Sequence, residues 1–333
     1  MDELLPFLKH ERPDVREAAA EHVAGLAADP ASRTLLRSSD GLMKILSRLT
    51  GDLPGPKLAA FRALVLLTSG VMARGGGGSS SSSSSGGEAE GDASYFVREA
   101  LAVRIEERCW NELDGEPETV DLALGVLANV SRTETGAAAL LLPPRAGRRS
   151  GLADAVRHFL DSGPGTEWDN VALLLNNVSQ LPAGRRFIKP EWFAEELTRT
   201  AKASPARRRG VAGALRNIAQ ASDGRRGGGA EALLGAGVVA AVAARLPRET
   251  DPDVLIEYLG ALRSIASSSA EGRAECLAHE EQLGNFTDLM SLPSALRQAI
   301  VALRGELRDE DDEGDEVDEI NALCEEMDAE AMD

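Results

Sequence analysis

Leu175-Asn176-Asn177-Val178-Ser179 closes an apolar run that begins at Val171, and Gly184-Arg185 follows it a few residues on. The same figure recurs. Leu127-Ala128-Asn129-Val130-Ser131 precedes Gly136, and Leu215-Arg216-Asn217-Ile218-Ala219 precedes Gly224-Arg225. Leu262-Arg263-Ser264-Ile265-Ala266 with Gly272-Arg273 is a weaker copy. Val23-Ala24-Gly25-Leu26-Ala27 with Ser32-Arg33, and Val65-Leu66-Leu67-Thr68-Ser69, extend the series toward the N-terminus. The third residues of these fives stand at 25, 67, 129, 177, 217 and 264, so the spacings are 42, 62, 48, 40 and 47. The long spacing contains residues 75–94, a run of Gly, Ser and acidic residues.

A period of about 40–47 residues is that of armadillo and HEAT helical repeats. Proline and glycine punctuation at Pro13, Pro30, Pro54, Pro182, Pro205 and Pro252 falls between apolar-periodic runs. No run alternates apolar and polar residues in the manner of a strand. The expectation is an all-α armadillo/HEAT-like α-solenoid. Repeats fill residues 1–74 and 95–308, a Gly/Ser linker occupies 75–94, and an acidic tail occupies 309–333. The linker has few side chains to bury and gains little from order. As a coil it spans about 25 Å.

Composition agrees. Hydrophobic residues make up 43% of the 333 and aromatics only 4%, which favours helices closed by Leu and Ala over a sandwich or barrel. No apolar run reaches the roughly 18 to 20 residues of a membrane span, and the N-terminal residues lack the apolar stretch of a secretory signal. Cys109, Cys276 and Cys324 are distant and odd in number, so no disulfide framework is implied and a cytoplasmic setting is the expectation.

The net charge of -18 is uneven. Residues 309–333 hold 14 Asp or Glu and no Lys or Arg, while 140–229 hold 15 basic against 8 acidic residues. In the tail, Val317, Ile320, Cys324, Met327 and Ala331 fall on one narrow stripe of a possible helix. That helix would dock on the solenoid's own end, on a partner, or on nothing.

Catalytic chemistry is hard to place. His10, His22, His158 and His279 are scattered, and no phosphate-cradling Gly-x-x-x-x-Gly-Lys-Ser/Thr or Gly-x-Ser-x-Gly elbow is present. We expect no enzyme and no cofactor. A stack of helix pairs instead offers one continuous face. Asn129, Asn177 and Asn217 recur at one place in successive repeats, with Asn176 and Arg216 beside two of them. Such amides grip the backbone of an extended peptide, or alternatively close a turn inside their own repeat. Gly184 and Gly224 read as left-handed turns. Arg185 and Arg186, with Arg207, Arg208 and Arg209, read either as solvated helix starts or as a patch that grips a carboxylate-rich client.

The Asn-bearing helices resemble the third helix of armadillo repeats. The importin-alpha type carries a Trp four residues before the Asn, and here those places are Gly125, Leu173 and Gly213. A more specific resemblance lies in Asn170 to Phe187, in Arg208 to Asn217, in Leu4-Leu5-Pro6-Phe7-Leu8 and in Pro252-Asp253-Val254. These resemble the HGH homologue family of cytosolic armadillo proteins. The segment between Leu246 and Asp253 is shorter than family members carry, and the Gly/Ser insert is unusual. The resemblance implies a chaperone adaptor that binds newly made translation elongation factor two and links it to the chaperonin TRiC and prefoldin. Alternative functions are an Hsp70 nucleotide-exchange factor and an RNA-binding solenoid. The shortage of aromatics for base stacking argues against RNA.

Overall fold

In the computed structural model, residues 3–69, 86–142, 151–162, 166–199, 203–221, 228–279 and 293–307 are described. Proline sets the first turn of most long helices: its fixed φ suits that turn and its missing N–H has no partner there anyway. The long helices α2 (Pro13–Ala28), α5 (Pro54–Thr68) and α8 (Pro117–Val130) start this way. Between them lie the short helices α3 (Pro30–Arg37) and α4 (Leu42–Leu49), then the 17-residue α6 (Gly86–Ala102) and the short α7 (Ile105–Trp110). Ahead of α2 is α1 (Leu4–Phe7). After α8 come α9 (Glu134–Leu140), α10 (Leu152–Asp161), a 3-10 turn at Glu167–Asp169, and α11 (Asn170–Ser179).

The chain then repeats the scheme. It runs through α12 (Pro182–Phe187), α13 (Pro190–Arg199), α14 (Pro205–Ala219), α15 (Gly229–Gly235), α16 (Val238–Arg245), α17 (Pro252–Ser268), α18 (Ala270–Leu277) and α19 (Ser294–Leu307). Among the described residues there is no strand. Two compact units result, with the division inside α11: residues up to Leu174 belong mostly to the first and those from Leu175 to the second. In the first unit α2 packs on α5 and α5 on α8. In the second, α14 packs on α17 and α17 on α19. Each interface is closed by small and aliphatic side chains such as Ala20, Leu64 and Leu127 in one unit and Ala214, Leu262 and Ile300 in the other.

The Gly-Arg signature is explained by how each short helix crosses the end of the long helix before it. A Cβ on Gly184 would stand 1.9 Å from the Val178 carbonyl oxygen, on Gly136 2.0 Å from that of Val130, and on Gly272 2.2 Å from that of Ile265. Glycine is therefore required by close approach. The left-handed turn expected at Gly184 is absent: that residue lies inside α12, and the described glycines with positive φ are Gly41 and Gly237. Gly224 lies outside the described residues.

Three residues before Gly136, Gly272 and the counterpart Ser32 stands a side chain that caps the short helix, whereas Leu181 before Gly184 supplies none. Asp29 accepts from Ser32 N–H, Thr133 from Gly136 N–H and Ser269 from Gly272 N–H. Each cap is worth about 1 kcal/mol. The arginine reaches back to the carbonyls that end the preceding long helix. Arg33 donates to Ala27 O at 2.7 and 3.1 Å, and Arg185 to Ser179 O and Gln180 O at 3.2 and 2.9 Å. A cation there also suits the negative end of the helix dipole.

Of the expected linker, residues 75–85 lie outside the described residues, whereas α6 begins at Gly86 and so includes its last part. Glu88, Ala89, Glu90 and Ala93 favour helix and prolong the one anchored by buried Phe96, Val97 and Ala100. The acidic tail at 309–333 lies outside the described residues. Among those described, no single helix is long and apolar enough to cross a membrane. One adjacent pair, Gly229–Gly235 with Val238–Arg248, does so only in sum, and is bent by 79°. It buries Leu233, Val238 and Val242 in the second unit.

Candidate partner-binding face

The exposed edges of the long helices carry the residues that the repeat pattern singles out. In the first unit, Asn129 on α8 donates through Nδ2 to Val65 O at 3.1 Å and to Thr68 Oγ1 at 3.3 Å, in the last turn of α5. In the second, Asn217 on α14 donates to Asn176 O at 3.1 Å, Asn176 Oδ1 at 3.2 Å and Ser179 Oγ at 3.0 Å, in the last turn of α11. The last turn of a helix leaves its carbonyls accessible, and these amides reach two of them from the next repeat, although Val65 O also accepts from Ser69 N–H at 2.9 Å and Asn176 O from Ser179 Oγ at 2.7 Å. The donor end of each of these two amides thus joins neighbouring repeats. Asn177 holds the same place in α11, is half-buried and is also partnered.

The glycines four residues before these positions have a matching role. A Cβ on Gly213 would lie 2.5 Å from Asn176 Oδ1, so the place of the importin-type Trp is filled by an amide from α11. Gly260 on α17 plays the same part for Arg216, whose Nε would lie 3.2 Å from an added Cβ. Gly125 is looser, with Val65 Cγ2 at 3.5 Å.

The Arg-rich stretch is largely neutralised inside the second unit. Arg207 is buried and forms a two-pronged pair with buried Glu196, at 2.6 and 3.0 Å. Arg208 bonds Glu249, which also faces Arg245 at 3.5 Å and accepts from the Thr250 and Asp251 N–H groups. Arg209 bonds Asp251 at 2.9 Å and stands 3.2 Å from Asp253. Arg216 bonds Glu257 at 3.2 Å. Burial alone would raise the Asp251 carboxyl, but the Arg209 hydrogen bond and charge hold it below the ordinary range. Burial drives the Tyr258 hydroxyl, beneath this network, far above its usual value.

The signal for this pairing was in the sequence. Glu249, Asp251 and Glu257 lie 41 or 42 residues beyond Arg208, Arg209 and Arg216, one repeat along. Sequence reasoning tallied charge by segment and missed that offset. Of the remaining candidates, Arg185 caps α11 as described, while Arg186 is exposed on α12.

Described residues of α14, α17 and α19 also line a hollow of about 470 Å3. Arg216, Arg263 and Glu306 rim it, and Ile256, Leu259 and Ala302 floor it. Such a surface can take a side-chain row of a peptide or helix while its guanidinium groups contact carboxylate or carbonyl oxygens. Among the described residues no group of three or more His, Cys, Asp or Glu side chains is arranged to hold a metal. Cys109 and Cys276 are buried, and burial raises both thiols, Cys276 to about 11.

No family model and no curated protein matches the chain. Similar solved structures exist. An engineered protein aligns with TM-score 0.61 at 20% identity, over 92% of this chain and 78% of that one. A designed armadillo repeat protein in complex with the peptide (KR)4 aligns with TM-score 0.60 at 16% identity, over 81% of this chain and all of the other. A chain from a structure concerned with the interaction between cadherin and beta-catenin aligns with TM-score 0.60 at 13% identity, covering 92% and 52%. With the repeat geometry above, these likenesses define the class: an all-α, armadillo-type α-solenoid.

Proposed function

We propose that this chain is a non-enzymatic armadillo scaffold of the cytoplasm that binds newly made translation elongation factor two and links it to the cytosolic chaperonin TRiC with prefoldin. The observation that carries the reading is the run Asn170 to Phe187, where the resemblance to the HGH homologue family is strongest. Its Asn176, Gly184 and Arg185 each hold consecutive repeats together, so the run belongs to a working repeat boundary.

Armadillo neighbours support a protein or peptide partner in general: one designed relative is in complex with (KR)4. The chemistry here differs from a basic-peptide groove. The lining of the hollow carries Arg216 and Arg263 against the single acid Glu306, beside Ser264, Ser267 and Gln220, and the guanidinium excess of that lining disfavours a Lys/Arg ligand. A large client with carboxylate and backbone acceptors fits better than a basic signal peptide. Affinity purification of the tagged full chain from cytosol, with quantitative mass spectrometry, tests this. Elongation factor two and chaperonin subunits should be enriched together, and recovery of neither contradicts the proposal.

A further inference from the structure

The hollow on α14, α17 and α19 is an interaction surface whose occupant can be read from the chain itself. Its floor combines Ile256, Leu259, Ala299 and Ala302, and its charged groups are Arg216, Arg263 and Glu306. Arg216 is held by Glu257. Arg263 is 55% exposed, and Glu306 lies 3.8 Å away, too far for a hydrogen bond. Among the described residues the Arg263 guanidinium therefore makes no hydrogen bond, and its donors are available. The described chain ends on the rim: Glu306 lines the hollow and Leu307 closes α19.

We propose that the acidic C-terminal segment of this same chain occupies the hollow. Residues 317–331 would lay the stripe of Val317, Ile320, Cys324 and Met327 on the floor and offer carboxylates to Arg263 and Arg216. Reach permits it: residues 308–316 extend up to about 30 Å. Size permits it: a fifteen-residue helix over 317–331 would be about 22 Å long, against about 21 Å for the fourteen-residue α19 beside it. Charge favours it. The segment 309–333 carries 14 acidic and no basic residues, and the Arg263 guanidinium, which makes no hydrogen bond among the described residues, belongs to the lining of the hollow. Glu257 and Glu306 oppose the approach, so the apolar stripe must supply part of the affinity. Tethering reduces what is needed. At an effective concentration of about 1 mM, an intrinsic Kd of about 0.1 mM keeps the hollow about nine-tenths filled. Any client that uses this face displaces the segment first. The inference does not rest on which client that is.

The test uses the full chain with Cys324→Ser, which keeps the docked stripe small, and Ala329→Cys, which sets the thiol on the opposite side of the segment. Cys109 and Cys276 are buried, so a maleimide photocrosslinker is directed to position 329 at neutral pH. After irradiation of a dilute sample, mapped crosslinks should concentrate on Pro252–Ser268 and Ser294–Leu307 within one chain. Exchanging both Arg216→Glu and Arg263→Glu should lower that yield about tenfold. Arg216 also packs on Gly260, so a second variant, Ile320→Asp with Met327→Asp, changes only the segment and should lower the yield similarly. Crosslinks that join two copies, scatter over the short helices, fail to form, or persist undiminished in the segment variant overturn the proposal.

Discussion

Replacing Asn217 with Ala separates a repeat clamp from a peptide-reading ladder. The amide of Asn217 is half-buried, and its Nδ2 meets Asn176 O, Asn176 Oδ1 and Ser179 Oγ between 3.0 and 3.2 Å. Two protons serve three acceptors, so at most two good hydrogen bonds are lost, each worth about 1 kcal/mol net. The Asn176 carbonyl still accepts from Ser179 Oγ at 2.7 Å, which softens the loss. A destabilisation of about 1.5 kcal/mol follows. For a cooperative unit of this size that is a fall in Tm of about 3–6 °C. Urea unfolding followed by circular dichroism gives the number. The Asn176→Ala, Asn217→Ala double mutant should be less destabilised than the sum of the singles, by about 0.5–1 kcal/mol, because the two share one contact. An unchanged midpoint in Asn217→Ala, together with lost client capture, would refute the clamp and restore the ladder.

Other outcomes follow from the same geometry. Gly184→Ala should cost about 3 kcal/mol or more, because the new methyl collides with the Val178 carbonyl oxygen 1.9 Å away and backbone must move; thermal melting reads this out. Glu196→Gln takes one negative charge from beside the buried Arg207 guanidinium and should lower stability by about 3 kcal/mol, measured by chemical denaturation. On acidification, Asp52 and Asp251 are sensitive points. Arg16 holds Asp52 low, and the Arg209 bond keeps Asp251 low despite burial. A carboxyl whose folded pKa is depressed contributes stability fully present above its unfolded pKa, about 3.9 for Asp, and lost as pH falls through the folded value. Melting temperature should therefore hold from neutral pH to about 5 and fall below about 4. Exchange of Asp251 for Asn should make that fall shallower.

Fold class was legible because a repeat repeats its physics. Leu-x-Asn-Val/Ile-Ser/Ala marks the ends of α8, α11 and α14, looser versions close α2, α5 and α17, and the period between markers survives once the Gly/Ser insert is set aside. What the glycines do was not legible. A glycine at a helix start reads as a backbone-angle requirement, whereas Gly136, Gly184 and Gly272 answer to a carbonyl of the preceding long helix, a contact that appears only once repeats are stacked. The basic middle misled for a similar reason. Arg207, Arg208, Arg209 and Arg216 sum to a patch in a linear count, but their carboxylate partners sit on α13 or one period downstream. Asn176 and Arg216 were singled out beside the marker Asn, yet that each lies over a glycine of the next helix was not. The hollow on α14, α17 and α19 draws on three repeats, and no single motif announces it.

If the long-helix edges of the second unit hold another protein, crosslinking mass spectrometry on the complex co-purified from cytosol finds it there. Crosslinks from the proposed client, elongation factor two, should fall on α14, α17 and α19 and compete with those from the acidic C-terminal segment. Partner crosslinks confined to the short helices, with the long-helix face untouched, would contradict it.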